Sequence, residues 1–166
     1  MNTHEIEEGL KFAVENPNFD FGVHLTVTSE WKYHKWGGIL DKAKTPSLHN
    51  SVNSFYWNKR KFVKNADLNE IKMELQAQIS LAKSMGLKPS HIDSHEGALF
   101  FDPNIFKIYI DLAIENDLLA FVPIEASMHF NGELDKPNNA VIIDQFHMLH
   151  GGTEVEDIEN FYFNVI

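Results

Sequence analysis

The sequence predicts an α/β fold with a mostly parallel sheet. Three observations carry this expectation. Stretches with apolar residues at helical spacing alternate with short extended runs, the pattern of strands joined by helices. Two of the extended runs lead into polar or glycine-containing chain, where sheets of this kind place their sites. The length of 166 residues suits one domain. A complete eight-stranded barrel takes about 250 residues, so the chain is expected to hold at most part of one.

The first helix opens at Asn2, an N-cap with Glu5 placed to complete a capping box. Ile6, Leu10, Ala13 and Val14 recur at helical spacing, and Asn16-Pro17 stops it. A strand is expected over residues 20–28. Phe21, Val23, Leu25 and Val27 fall on one face, and Gly22, His24, Thr26 and Thr28 on the other. Residues 29–66 read as irregular and hold Trp31, Tyr33, Trp36, Gly37, Gly38, Pro46 and Phe55-Tyr56-Trp57. So long a stretch without structure signals either function or a missed element.

A second helix starts at the N-cap Asp67, with Glu70 as its box partner. Its stripe is Ile71, Leu75, Ile79 and Ala82; Gly86 ends it and Pro89 guards the exit. A short strand over 90–94 leads into His95-Glu96-Gly97. Asp102-Pro103, a cap followed by proline in the first turn, opens a third helix. Its Ile105, Phe106, Ile108, Tyr109, Ile110, Leu112, Ala113 and Ile114 are apolar on almost every side, which predicts deep burial. Further strands are expected over 118–124 and 140–144, and an amphipathic turn or helix from Glu154 onward.

Composition excludes several functions. A formal charge of −10 without a basic stripe makes nucleic acid an unsuitable partner, because phosphates demand Lys and Arg. The absence of cysteine rules out disulfides, thiolate metal sites and a cysteine nucleophile. No apolar run reaches the ~18 residues of a membrane span, and no basic segment followed by an apolar one opens the chain. We therefore expect a cytoplasmic protein with no membrane partner. Serine-hydrolase elbows, P-loops and GxGxxG fingerprints are missing too.

Nine histidines remain as the chemical signal. His24 shares a small polar strand face with Gly22, Thr26 and Thr28. It reads either as a ligand or as a histidine hydrogen-bonded on that face. In Ser90-His91-Ile92-Asp93-Ser94-His95-Glu96, the residues His91, Asp93 and His95 alternate and share a face. Imidazole and carboxylate suit zinc, iron, manganese or nickel. An Asp near a ligating His can also hold its other ring N–H. The alternative is a turn with a capping Asp and two solvent-facing histidines.

A cation between the two strand ends would take His24 and His95. The third ligand is not evident: Asp20 lies at the wrong end of its strand and Asp102 reads as a cap, Asp144 ends a strand and fits only on fold-level geometry, and His91 could serve, although a fixed strand seldom turns both neighbours onto one ion. His147 is the best of the remaining histidines; His4, His34, His49, His129 and His150 weigh less. The aromatic stretch from Trp31 to Trp36 suits stacking on sugar rings, or equally a loop pinned by its aromatic side chains.

Phe21-Gly22-Val23-His24-Leu25-Thr26-Val27-Thr28 and Ser90-His91-Ile92-Asp93-Ser94-His95 resemble the two histidine motifs of the YdjC-like carbohydrate deacetylases, which include the chitooligosaccharide deacetylases. The stretches Ser29-Glu30-Trp31 through Trp36-Gly37, Glu74-Leu75-Gln76-Ala77-Gln78-Ile79 and Gly97-Ala98-Leu99-Phe100 resemble one branch of that family. The resemblance implies a barrel-like α/β fold, a divalent ion (Mg or Zn) held by an Asp and two His, and hydrolysis of the acetamido group of an N-acetylated sugar. His24 matches the first histidine ligand and His95 the second. Asp93 matches a supporting acid and is the candidate catalytic residue. His91 matches a recurrent residue and, with Trp31 and Trp36, is a candidate substrate contact.

The chain also departs from the family pattern. Family members begin with a strand ending in Asp-Asp, which supplies the metal-binding Asp and the base; this sequence contains no Asp-Asp. Phe121-Val122-Pro123 stands where the family carries an Arg. The late strands and their His-Pro segment are not matched either. The resemblance thus implies an incomplete single domain over 1–166, a partial (β/α) barrel lacking the first strand and the last ones. An exposed sheet edge would follow, through which copies associate into a homo-oligomer. Functionally it implies either a deacetylase or an inactive fragment that keeps metal or sugar binding. A phosphoesterase on a similar barrel would want a basic clamp, and none lies near the motifs.

Overall fold

Helices and strands alternate along the chain in a computed structural model, which describes residues 3–129, 140–144 and 157. The order is α1 (Thr3–Glu15), β1 (Gly22–Leu25), α2 (Lys59–Asn65), α3 (Leu68–Ser84), β2 (His91–Ser94), α4 (Pro103–Asn116), β3 (Leu119–Pro123), α5 (Ile124–His129) and β4 (Ala140–Ile143). The strands form one sheet in the order β1-β2-β3-β4, and every neighbouring pair is parallel. Consecutive parallel strands joined by helices are the units from which β/α barrels are assembled.

The core lies where strands meet helices. Leu25, Val27, Ile92, Ala120 and Val122 from the sheet region pack with Ile71, Leu75 and Ile79 of α3 and with Ile105, Phe106, Tyr109 and Leu112 of α4. The Tyr109 hydroxyl lies 2.8 Å from the Ile92 carbonyl oxygen and 2.9 Å from that of Phe121, tying α4 across β2 and β3. Burial pushes its pKa up.

The helix ends follow the sequence closely. Asp67 accepts from the N–H groups of Asn69 and Glu70, and Asp102 from those of Asn104 and Ile105. At the end of α3, Gly86 adopts φ +95°. There the Leu87 N–H bonds the Ala82 carbonyl and the Gly86 N–H bonds that of Lys83, a complete Schellman motif. One capping detail differs from expectation. Glu70 does not reach back to Asp67 but accepts from the N–H and hydroxyl of Ser47, whose Oγ in turn accepts from the Asp67 N–H.

Three boundaries also differ. β1 covers four residues, not 20–28. Beyond it the Thr26 N–H donates to Gln78 Oε1 at 3.0 Å and Gln78 Nε2 donates to the Thr26 carbonyl at 2.8 Å, so a side chain replaces a neighbouring strand. The irregular stretch contains α2, capped by Asn58, and a short 3₁₀ turn at Pro46–Leu48. β3 stops at Pro123, and Ile124 begins α5 instead of extending the strand. The Asn2 cap, the segment from Glu154 onward (apart from the helical Asp157) and the histidines 147 and 150 lie outside the described residues.

β1 is an edge strand of the described sheet. An apolar groove runs beside it, lined by Leu10 and Ala13 of α1, Val23 of β1 and Leu81 of α3. Among the described residues no helix is long and apolar enough to cross a membrane.

Candidate metal centre and its aromatic wall

Parallel register sets the site. Gly22 stands opposite His91 and His24 opposite Asp93, so the face that the sequence placed on each strand becomes one shared face. Asp93 Oδ2 accepts from the His24 Nδ1–H at 2.7 Å. The other nitrogen of the same ring, Nε2, lies 3.0 Å from His95 Nδ1. His95 Nε2, in turn, lies 2.9 Å from Glu30 Oε2. Four side chains thus form one line: carboxylate, imidazole, imidazole, carboxylate. The His24 side chain is 56% exposed and that of His95 only 18%, so the line runs from solvent inward.

Counting protons shows what this line lacks. Three contacts join the four groups, yet two neutral imidazoles carry only two ring protons. With a carboxylate accepting at each end, both protons point outward. The inner contact then opposes two lone pairs, which a proton or another cation between them relieves. The hydrogen bond to Asp93 raises the His24 pKa above its ordinary 6.5. Burial opposes the rise, and the charges of Asp93 and Glu30 add to it.

Local backbone brings His95 to its place. It opens the turn His95–Phe100 directly after β2, where Glu96 and Gly97 adopt left-handed φ of 51° and 65°. Left-handed backbone at a residue other than glycine is uncommon. Lys59 of α2 holds this turn by donating to the Glu96 carbonyl at 3.0 Å.

His91 occupies the same face but one row away. Its ring stacks on Phe121 at 4.2 Å between centroids, and its Nδ1 lies 2.9 Å from Ser90 Oγ. The ring covers Gly22 so closely that a Cβ there would clash with Nε2. It does not join the line of four.

The aromatic residues stand beside it. The Trp36 ring lies 6.0 Å from that of His95, and Trp31 lies 6.4 Å from Trp36. His34 fills the corner, 5.9 Å from Trp36 and 6.4 Å from Trp31. Trp36 is half-buried against the core, whereas Trp31 is 63% exposed. The loop is fixed by Ser29, whose Oγ accepts the Trp36 N–H at 3.0 Å and whose carbonyl accepts from Lys35 Nζ at 2.7 Å.

Two placements for a cation arise among the described residues. One lies between His24 Nε2 and His95 Nδ1, whose opposite nitrogens are already held by carboxylates. The other is the group Glu30, His95 and Glu96, which offers ligand atoms within 4.8 Å of one another. The donor chemistry of both fits a divalent ion. Of the acids weighed from sequence, Asp102 is confirmed as a helix cap. Glu30 and Glu96 lie in stretches that the sequence singled out, but neither was weighed as a ligand. The one hint for Glu30 was its place just past the carboxyl end of a strand that bears a histidine.

The chain is 32% identical over 104 residues to a carbohydrate deacetylase of Thermus thermophilus, a match covering 63% of this chain and 38% of that protein. It is 26% identical over 117 residues to a carbohydrate deacetylase of Clostridium beijerinckii, covering 70% and 44%. The chain thus spans less than half the length of these relatives. The fold resembles a solved structure from Enterococcus faecalis V583, described as a candidate cellobiose-phosphate cleavage protein. The TM-score is 0.72 and the identity 24%, over 96% of this chain and 60% of that one. A family model for YdjC-like proteins matches residues 1–158. The chain therefore belongs to the YdjC-like family.

Proposed function

We propose that this protein is a divalent-cation-dependent hydrolase that removes acetyl groups from N-acetylated sugars or oligosaccharides. The observation that carries this reading is the opposed pair of imidazole nitrogens, each ring backed by a carboxylate. Carboxylates behind ligating histidines fix the tautomer and raise ligand basicity. A bound Zn or Mg ion would polarise the acetyl carbonyl and activate water. His24 Nε2 and His95 Nδ1 would hold that ion. Asp93 keeps the His24 proton on Nδ1 and so acts through His24. Trp31 and Trp36 offer flat apolar faces at the rim for a sugar ring, with His91 on the floor one row along. The names of the deacetylase relatives support the substrate class.

A second reading, a metal- or sugar-binding protein without turnover, is favoured by one observation. No carboxylate beyond Glu30, Asp93 and Glu96 reaches the two histidines among the described residues. Acetate release from N-acetylated chitooligosaccharides separates the two. The first reading expects release that is lost on metal removal and in both His24→Ala and His95→Ala. Equal metal content in wild type and both variants would overturn the site.

We further propose that residues 1–166 belong to a single cytoplasmic deacetylase-like domain, incomplete within these residues, and that copies pair through the edge of β1. Sedimentation velocity tests the pairing, and a monomer at all concentrations would refute it.

A further inference from the structure

We propose that Glu30 is a positioning residue for His95: its carboxylate accepts the Nε2–H, fixes that tautomer, and leaves the Nδ1 lone pair facing His24. This rests on the metal reading for its purpose but not for its geometry. The 2.9 Å contact joins two mostly buried side chains, 18% and 25% exposed, so water competes weakly for the N–H. The backbone leading into Glu30 is tied down, as is Trp36 beyond it. Thr28 bridges Tyr56, the Ser29 N–H donates to the Tyr56 carbonyl at 2.9 Å, and the Ser29 hydroxyl holds Trp36. Trp36 packs its ring against the imidazole of His95. One loop therefore grips the His95 ring at its edge through Glu30 and at its flank through Trp36.

The arrangement mirrors Asp93 at His24, but the support comes from a different element. Asp93 lies on the sheet, whereas Glu30 belongs to the loop that carries Trp31 and Trp36. Glu30 stands on the side of His95 opposite His24. With an ion between the imidazoles, it orients a ligand and is not one.

The test is nitrogen-15 NMR of the imidazole rings in metal-free protein at about pH 8.5, where histidine is neutral, together with zinc titration. Glu30→Met keeps length and removes the acceptor; Glu30→Gln keeps a neutral acceptor. Wild type is expected to show His95 protonated at Nε2. In Glu30→Met the tautomers should mix and zinc should bind about 10- to 100-fold more weakly, with Glu30→Gln between the two. His95 protonated at Nδ1 in wild type overturns the proposal without any variant. So does an unchanged tautomer and affinity in Glu30→Met. Zinc loss as complete as in His95→Ala, with the tautomer unchanged, makes Glu30 a ligand and overturns it too. A tautomer shift in a protein whose wild type binds no zinc keeps the positioning role and removes the metal reading.

Discussion

Two polar clusters of this protein are built from the same residue types and answer to opposite demands. The first lies under the loop after β1. Glu74 is fully buried and accepts the N–H groups of Ile39 at 2.7 Å and Leu40 at 3.0 Å and the Gln78 amide at 2.9 Å. Buried His49 donates from Nδ1 to the Thr45 carbonyl and accepts the Gly38 N–H at Nε2. Each of these N–H groups meets an acceptor. The second is the line from Asp93 to Glu30, where the inner contact has one proton too few. A matched buried network holds a loop in shape. The mismatch in the second cluster is what the proposed cation would relieve.

Breaking the first cluster should have the largest effect. Glu74→Ala strips three donors of their acceptor and should lower unfolding stability by about 3 kcal/mol or more in urea melts. A loss under about 1 kcal/mol would show that water fills in and that the cluster is no tighter than the site. Gly38→Ala comes next. Its Cβ would lie 2.5 Å from Glu74 Oε2, and overpacking of that kind costs about 1–3 kcal/mol. His24→Ala should do much less to the metal-free protein, under about 1 kcal/mol, because its pair with Asp93 is solvent-screened. The same variant should abolish the rise in melting temperature that zinc gives the wild type.

The smallest effect is pH-dependent and has a definite sign. The His24 pKa is raised in the folded state. Its pair with Asp93 therefore stabilises the metal-free fold fully below pH 6.5, and this is lost as pH rises through the raised value. Screening holds it to a few tenths of a kcal/mol at about physiological salt. Zinc affinity should run the other way, falling as pH drops through that value, because the ion competes with the proton. A zinc affinity flat across this range would remove His24 from the site.

The sequence and the structure agree where local rules suffice. Period-2 alternation placed His24 beside Gly22, and parallel register then set Asp93 opposite. Caps at Asp67 and Asp102 and the stop at Gly86 follow from single residues and their neighbours. The loop after β1 was opaque for the converse reason. Its order comes from Glu74 and Gln78, which lie on a distant helix in a family-like stretch whose sequence does not say what they bind. Glu30 escaped notice in the same way, because its partner His95 is 65 residues away. The shortening of β1 has this origin too, since no strand propensity reports that Gln78 will take the backbone of Thr26.

That last contact has a bearing on how far the sheet can grow. An added strand beside β1 needs free backbone groups along the edge, and at Thr26 both are already engaged by a buried amide. Gln78 is itself anchored by Glu74, so displacing it would also disturb the acceptor of Ile39 and Leu40. Zippering along this edge therefore meets a barrier after Leu25. The β1 edge of the described sheet thus carries its own terminator, supplied by a helix and set one residue beyond the strand.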